Sequence, residues 1–300
     1  MKARYSSLVF LILVSRSMAP AQAGQSGLSF LKLGVGARSL AMGEAGVASS
    51  NDPSAMYYNP AALKFAKNPQ VLIMHKEWIQ GTQTEFLAVS FPVGSLNAGA
   101  SVNATSVPDI EIRTRPGPAE GFFSARNAAL SASAAYAIDT SLSVGLSLKY
   151  LYEKILVDET FGVAVDAGAV YESPWDITFG ISLSNLGGMR RLRNEASKLP
   201  ATVRFGAART ESISSLDGSV VLAADLVSVL PEKNTHLLLG FEFNYKETFA
   251  IRAGFMSGYE SRNFTLGAGV HYDMFKIDYA FAPLRLDLGT THTFSLGLEF

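Results

Sequence analysis

The sequence contains no cysteine and no apolar run long enough to cross a membrane as a helix, and these two absences exclude several classes of protein. Without cysteine there is no disulfide framework and no thiolate metal site. A spanning helix needs about 20 apolar residues, whereas Gly, Asp, Lys or Ser interrupts every apolar stretch of this chain. Hydrophobic residues nevertheless make up 48% of the sequence. A chain that is apolar on average but has no spanning helix is typical of a membrane barrel, in which half of the strand residues face lipid.

Charged and titratable residues are also sparse, which argues against several functions. The net charge is −1, and no basic stripe predicts a nucleic-acid partner. None of the four histidines lies in a nucleophile or metal motif. The Gly34-x-Gly36 run lacks the third glycine of a dinucleotide site and the Gly-Lys-Ser/Thr of a phosphate loop, so it indicates close packing. We therefore predict no enzyme, no metal site and no cofactor.

The first 23 residues have the pattern of a secretory signal peptide. Lys2 and Arg4 form the positive start, residues 8–14 form a short apolar run, and Ala21 and Ala23 form a small-x-small cleavage site. We expect cleavage near Ala23 and export of the mature chain.

From about residue 70 the apolar residues alternate with polar or small ones, as they do in strands with one apolar face. The alternation predicts an all-β fold, a transmembrane antiparallel β-barrel of about 14 strands over residues 70–300. The predicted strands are 70–78, 84–92, 96–105, 124–136, 141–153, 161–171, 175–184, 200–209, 218–228, 235–244, 247–256, 262–272, 275–282 and 291–300.

The predicted connections are short on one side and mostly longer on the other, as in outer-membrane barrels. The longest spans residues 106–122, and another spans 185–199. A soluble β-sandwich or solenoid is the alternative, and the signal peptide, the turn asymmetry and the aromatic last residue count against it. Arg113 and Arg115 in the first loop are candidates for contact with a carboxylate, a lipid phosphate or a protein partner. The second loop offers comparable contact candidates in Arg190, Arg191 and Arg193. For each of the two loops the alternative is a solvated turn without a partner.

Residues 24–69 do not alternate, and they predict a compact hatch inside the barrel. Asn59 is a candidate helix N-cap, with Pro60 at the first helical position. Charges in a hatch need partners on the wall when they are buried. The residues that we assign to the hatch motif are Gly36, Arg38, Ser39, Met42, Gly43, Glu44, Asn59 and Pro60.

Alternation also places charges and small residues on the inner face of the barrel. The small residues predict a lumen that is plugged or narrow, and the charges either anchor the hatch or line an ion path. The predicted lumen-facing charges are Lys149, Asp166, Asp176, Arg204, Asp225, Glu242, Arg252, Lys276, Asp278 and Glu299.

The last ten residues form a strand with Phe294, Leu296, Leu298 and Phe300 on one face. A terminal strand ending in Phe resembles the signal by which barrel-assembly machinery recognises bacterial outer-membrane barrels. This resemblance implies insertion into the outer membrane, with its lipid as a partner. A closed barrel leaves no sheet edge to pair, so a monomer is expected.

Residues 30–48 (FLKLGVGARSLAMGEAGVA) and 55–63 (AMYYNPAAL) resemble the PorV/PorQ family of outer-membrane proteins. That family belongs with the FadL-type fatty acid transporters, which are 14-stranded barrels plugged by a hatch with an Asn-Pro-Ala element, here residues 59–61. The resemblance implies a role in type IX secretion or surface attachment, through secretion components or the C-terminal domains of secreted cargo. The modest predicted loops leave two alternatives open: a FadL-like passive carrier of hydrophobic small molecules, and a structural barrel.

Overall fold

The computed structural model describes residues 25–192 and 197–300, which contain a closed barrel of fourteen antiparallel strands. Each strand pairs with its neighbours along the chain, and the first closes on the last. The predicted fold class is confirmed. The strands are β1 Gln70–Glu77, β2 Gln83–Val93, β3 Leu96–Ile112, β4 Gly121–Ala137, β5 Leu142–Ile155, β6 Asp158–Glu172, β7 Ile177–Met189, β8 Thr202–Ile213, β9 Gly218–Val229, β10 Asn234–Tyr245, β11 Phe249–Met256, β12 Phe264–Tyr272, β13 Phe275–Pro283 and β14 Thr290–Glu299.

The two faces of the wall differ as the alternation predicts. On β5, Leu146 and Leu148 point outward and are each 61% exposed, whereas Ser147 and Lys149 between and beyond them are buried in the lumen. Outward apolar residues of this kind recur around the whole barrel and form the surface that lipid covers. Among the described residues, no helix has the length and hydropathy needed to cross a membrane.

The two ends of the barrel differ in their connections. One end, the turn end, contains tight turns such as residues 94–95 and 273–274. The other, the loop end, contains longer segments, among them residues 113–120, 257–263 and 284–289. Outer-membrane barrels place short turns on the periplasmic side and longer loops outside. We therefore take the loop end as the external one.

Two predicted features of the wall are wrong. The predicted loop 106–122 is mostly strand, because β3 and β4 stay paired past a bulge at residues 107–110 and leave only 113–120 unpaired. Pro108 lacks an N–H to donate and Asp109 has a φ of +53°, which together produce the bulge. Asp176 does not face the lumen. It lies in the exposed turn between β6 and β7, with a φ of +57°, and its N–H donates to the carbonyl of Ser173.

A second bulge lies in the wall between β6 and β7. The register shifts after Val165, opposite Asn185, whose φ is +61°. The carboxylate of Asp166 accepts a hydrogen bond from the Asn185 N–H at 2.7 Å, and Lys149 donates to the Asn185 side chain at 2.9 Å. A buried ion pair, Lys149 with Asp166 at 2.6 Å, therefore supports the distorted backbone from inside the barrel.

Residues 25–69 fill the lumen from one end to the other. They contain the helices α1 Ala37–Ala41 and α2 Ala55–Tyr58 and the 3₁₀ turns Ser29–Lys32 and Pro60–Phe65. The Gly27 N–H donates to the carbonyl of Lys198 at the loop end. Lys64 pairs with Glu172 at the turn end. This segment is the hatch of the following sections; the predicted signal peptide, residues 1–23, and Arg193 lie outside the described residues.

Glycines of the wall allow the hatch backbone to approach it closely. A Cβ at Gly145 would lie 2.3 Å from the backbone nitrogen of Ala61, and one at Gly254 would lie 2.0 Å from that of Gly43. Atoms at these distances overlap, and a backbone cannot rotate away as a side chain can. The small inward residues of the sequence are therefore where the hatch backbone contacts the wall.

We predict that Gly145→Val and Gly254→Val each destabilise the seated hatch by about 1–3 kcal/mol, the usual cost of overpacking. The measurement is urea or thermal unfolding of the detergent-solubilised barrel, with protease cleavage of the hatch as a second readout. Gly188→Val is the matched control, because no atom lies within 4 Å of its added Cβ. Equal stability of all three variants would contradict the role given to the two wall glycines.

Candidate functional site

The hatch is fixed to the wall toward the turn end by a network of four charges. Arg38 of α1 donates from Nε and Nη2 to the two carboxylate oxygens of Glu242, both at 2.8 Å. Arg252 contacts the same carboxylate, and its Nη1 donates to Asp278 at 2.7 Å. Burial alone would lower the pKa of the Arg38 guanidinium, but the adjacent Glu242 carboxylate raises it above its usual value. Two cations and two anions therefore balance in the lumen.

A second ion pair joins the hatch to an external loop. Arg262, in the segment between β11 and β12, donates from Nη1 to Glu44 at 2.7 Å. Both residues are deeply buried, with exposures of 7% and 2%. Burial alone would raise the pKa of the Glu44 carboxyl, but Arg262, with further help from Lys76 and Arg204, holds it below its usual value. Glu44 is thus ionised at neutral pH and couples the loop to the hatch.

The loop that contains Arg262 folds inward over the mouth of the lumen. The Arg262 guanidinium lies 4.3 Å from the ring centre of Tyr259 and 5.8 Å from that of Trp78. Tyr259 in turn stacks on His236, with ring centres 3.8 Å apart. We name residues 257–263 the lid. Its contacts place three aromatic or imidazole rings at the external entrance.

Cations outnumber anions around Glu44. Lys76 is buried. Its Nζ lies 3.4 Å from the carbonyl oxygen of Gly34 and 4.9 Å from the ring centre of Trp78. The Arg204 guanidinium lies 5.4 Å from the ring centre of Tyr58 and 5.8 Å from that of Tyr57. Aromatic faces stabilise such cations through the ring quadrupole. Lys76 and Arg204 are therefore held largely by aromatic rings.

A small cavity lies beneath the lid, between α1 and the wall. Its volume is about 20 Å³, room for about one water molecule. Leu40, Met256 and Phe281 line its apolar part, and Lys76 and Arg262 line its polar part. The path through the barrel is therefore closed here, and a larger molecule passes only if the hatch or the lid moves.

The lumen near the loop end also contains an apolar cluster. Leu28, Phe30 and Leu31 of the hatch are buried against Leu151 and Met189 of the wall. At the turn end, by contrast, a polar groove of about 590 Å³ is lined by residues that include Ser212, Ser219, Asn244 and Lys246. An apolar cluster on the β4–β7 side of the loop end and a polar groove at the turn end are therefore two distinct surfaces of the barrel interior.

The residues of the predicted hatch motif occupy the interior. Asn59 accepts a hydrogen bond from Ala61 N–H at 3.1 Å, as an N-cap does, and Pro60 begins the 3₁₀ turn. The Asn59 amide also donates to the carbonyls of Val47 and Ala169, both at 3.0 Å, and so ties the hatch to β6. The remaining members are buried around α1, namely Gly36, Ser39, Met42 and Gly43.

The structure places most of the predicted lumen charges on the inner face. Asp278 faces the lumen beside Arg252. The charges that are buried on this face are Lys149, Asp166, Arg204, Asp225, Glu242 and Arg252. Lys276 and Glu299 pair with each other near the turn end and are partly exposed. Among these residues only Asp176 lies elsewhere, in its turn.

Sequence reasoning missed the residues of the external entrance. Lys76 shares the inner face of β1 with Leu72 and Met74, so alternation would have found it. Arg262 and Tyr259 lie in a loop, and no periodicity indicates that a loop folds inward. Trp78, directly after β1, contacts two buried cations, Lys76 and Arg262.

The predicted external and terminal residues lie on the surface. Arg113 pairs with Glu111 and donates to the carbonyl of Gly117 at 2.6 Å, whereas the Arg115 side chain is 86% exposed. Phe294, Leu296, Leu298 and Phe300 follow the outward face of the last strand. In the described part of the chain, no group of three His, Asp or Glu side chains is arranged to hold a metal ion.

Comparison with known proteins agrees with this architecture. Residues 14–162 match the sequence model of an uncharacterised protein family, UPF0164. No curated protein sequence matches the chain. Among solved structures, the CymD monoaromatic hydrocarbon channel matches with a TM-score of 0.62 and 15% identity, over 89% of this chain and 98% of its own. The toluene transporter TodX of Pseudomonas putida matches with a TM-score of 0.62 and 15% identity, over 88% of this chain and 96% of its own.

A FadL homologue of Pseudomonas aeruginosa also matches, with a TM-score of 0.55 and 12% identity, over 88% of this chain and 97% of its own. At these identities the likeness shows the fold. The chain thus has the fold of FadL-type outer-membrane channels, as the FadL part of the sequence resemblance implies, while the narrower PorV/PorQ assignment stays a prediction.

We predict that Glu44→Gln and Arg262→Gln each destabilise the protein by about 3–5 kcal/mol, because each removes the direct ion-pair partner of a buried charge. The double variant should lose less than the sum of the two, since the partners are coupled. Unfolding in detergent measures both values. Arg113→Gln at an exposed pair is the control and should cost about 0–1 kcal/mol.

The stabilisation that Glu44 contributes through its pair with Arg262 should depend on pH with a defined sign. Because the pKa of folded Glu44 lies below its unfolded value, its stabilising contribution is present at neutral pH and is lost as the pH falls through the folded pKa. For the variants themselves, a double variant whose loss of stability equals the sum of the two single losses would contradict the coupling of Glu44 and Arg262.

Proposed function

We propose that this protein is a passive outer-membrane channel for hydrophobic small molecules, opened by movement of the lid and the hatch. The main support is the closed entrance, in which the external lid is joined to the hatch by the buried Arg262–Glu44 pair above a small cavity that is partly apolar. The fold is shared with channels described as carrying monoaromatic hydrocarbons or toluene. A general diffusion pore is disfavoured, because the cavity holds about one water molecule.

The aromatic entrance supports an apolar ligand. Tyr259 and Trp78 are partly exposed at the mouth and His236 is buried beneath Tyr259, so an apolar molecule that enters between them gains aromatic contact area. A ligand that lies between these rings displaces the lid and weakens the Arg262 contacts. Glu44 then loses its main partner, and the resulting free-energy cost favours a shift of the hatch. Binding outside is thereby coupled to opening inside.

The route inward follows the polarity of the lumen. Leu40, Met256 and Phe281 line the cavity below the lid. Leu28 and Phe30 of the hatch cover an apolar part of the wall on β4–β7, across the lumen from the cavity. Movement of the hatch exposes these surfaces together and enlarges the path beyond the volume of one water molecule. No energy source is required, because the ligand moves down its own gradient.

The test is uptake by cells of a Gram-negative host that lacks its own FadL-type channels. Expression of the protein should raise the initial uptake rate of labelled toluene or of a long-chain fatty acid above that of empty-vector cells. Arg262→Ala should raise it further, by roughly tenfold or less, since it removes the contact that closes the lid. Arg113→Ala is the matched surface control and should behave as wild type. Uptake equal to empty-vector cells for every ligand would contradict the proposal.

Partner binding in protein secretion is the second candidate. It is supported by the PorV/PorQ-like residues 30–63 and by the β3–β4 hairpin, whose tip presents Arg115 to solvent. Under this hypothesis, mild-detergent purification from the native outer membrane recovers secretion components or cargo C-terminal domains. Arg113→Ala with Arg115→Ala should reduce their recovery severalfold. A barrel that purifies alone, with wild-type uptake of hydrophobic ligands, would contradict it and leave the channel proposal standing.

A further inference from the structure

Three cations lie on the β4–β7 part of the outer surface, near the loop end. Arg126 of β4 is opposite Lys154 of β5 in the strand register. Arg190, directly after β7, donates its N–H to the carbonyl of Phe161 on β6 at 2.8 Å. Arg126 and Arg190 are exposed and Lys154 is partly exposed. We name Arg126, Lys154 and Arg190 the cationic rim patch.

The patch lies at the depth of lipid headgroups. On the same outward face, Tyr150, Tyr152 and Phe161 form an aromatic cluster, with ring centres 5.7 Å apart for Tyr150–Phe161 and 5.3 Å for Tyr152–Phe161. Aromatic residues of barrels concentrate at the membrane–water interface. Tyr152 and Phe161 are register partners, and Lys154 lies one outward position beyond them.

Strand length gives the same depth. A barrel strand crosses the hydrocarbon core in about 9–11 residues. Arg126 lies about 11 residues from the turn-end residue of β4, Ala137. The cations are therefore just outside the apolar band, while Leu130, Leu148 and Val163 below them face the lipid chains.

Positive charge prevails in this part of the rim. Glu159 is the register partner of Lys154, and the Tyr152 hydroxyl donates to it at 3.1 Å. Asp158 is a second nearby carboxylate, whereas Arg191 adds a further exposed cation next to Arg190. Within residues 25–192 and 197–300, no ion pair involves Arg126, Lys154 or Arg190.

The β1–β2 side of the rim does not share this charge. On β1 and β2 the corresponding outward positions contain Glu77 and Glu85, and His75 contacts the Glu85 carboxylate at 2.6 Å. The acidic β1–β2 side of the same barrel therefore supplies an internal comparison for the cations on β4–β7.

We propose that the cationic rim patch binds the phosphate of an anionic lipid in the external leaflet. Guanidinium and ammonium groups donate charge-assisted hydrogen bonds to phosphate oxygens. A lipid is the occupant that suits the geometry, because it places a phosphate at headgroup depth and its acyl chains against the apolar wall below. The inference requires the barrel to lie in a membrane and does not depend on the transported ligand.

Native mass spectrometry of the full mature chain tests the proposal. The delipidated protein is titrated with phosphatidylglycerol and, separately, with phosphatidylcholine. Wild type should retain phosphatidylglycerol preferentially, and high salt should reduce that preference. The triple variant R126Q/K154Q/R190Q should lose it, with a fall of about fivefold in affinity for each cation removed. Phosphatidylcholine binding should not change.

The control is E77Q/E85Q on the acidic side, which should keep the wild-type preference. Because the three cations point outward, the triple variant should unfold at the wild-type temperature. If it does not fold, R126Q alone replaces it, with an expected loss of about fivefold. Equal retention of the two lipids by wild type, or unchanged preference in a folded variant, would overturn the proposal. Lipid retention does not report ligand uptake, so failure of this proposal leaves the channel proposal unaffected.

Discussion

The constraint on which this structure depends is that lipid cannot accept or donate backbone hydrogen bonds. Every N–H and carbonyl of a spanning segment must therefore find a partner inside the protein. The chain meets this requirement by pairing each strand with the next and β1 with β14, so that no strand edge remains. Once the barrel is closed, one face of each strand meets lipid and must be apolar. The other face encloses a lumen whose contents decide what the protein does.

The lumen is filled by the chain's own N-terminal segment, and this creates a second constraint. The buried charges of the hatch require partners, since an unpaired buried charge costs several kcal/mol. Arg38 meets Glu242, and Glu44 meets Arg262. The first pair joins the hatch to a strand of the wall. The second joins it to a loop, so the same physical requirement that fixes the hatch also connects it to the external mouth of the barrel.

Close packing and opening impose opposite demands on the hatch. Gly145 and Gly254 let the backbones of hatch and wall touch, which favours a closed lumen. The cavity under the lid and the polar groove at the turn end lie on either side of that contact. Short helical turns joined by extended segments, such as α1 and α2, can move with fewer broken hydrogen bonds than a strand of the wall. Under the proposed channel function, a hatch that moves inside a rigid barrel reconciles the two demands.

The sequence by itself determined the barrel, because a period of two in side-chain direction is a local property of each strand. It also placed Glu242 and Arg252 inside and Asn59 at a helix start. It could not decide which charges meet, since Arg38 and Glu242 are far apart along the chain and only closure brings them together. Nor could it show that Arg262 folds into the lumen or that Asp176 stays in a turn, because loop paths and strand ends depend on pairing across the sheet. The tertiary structure alone decided these contacts.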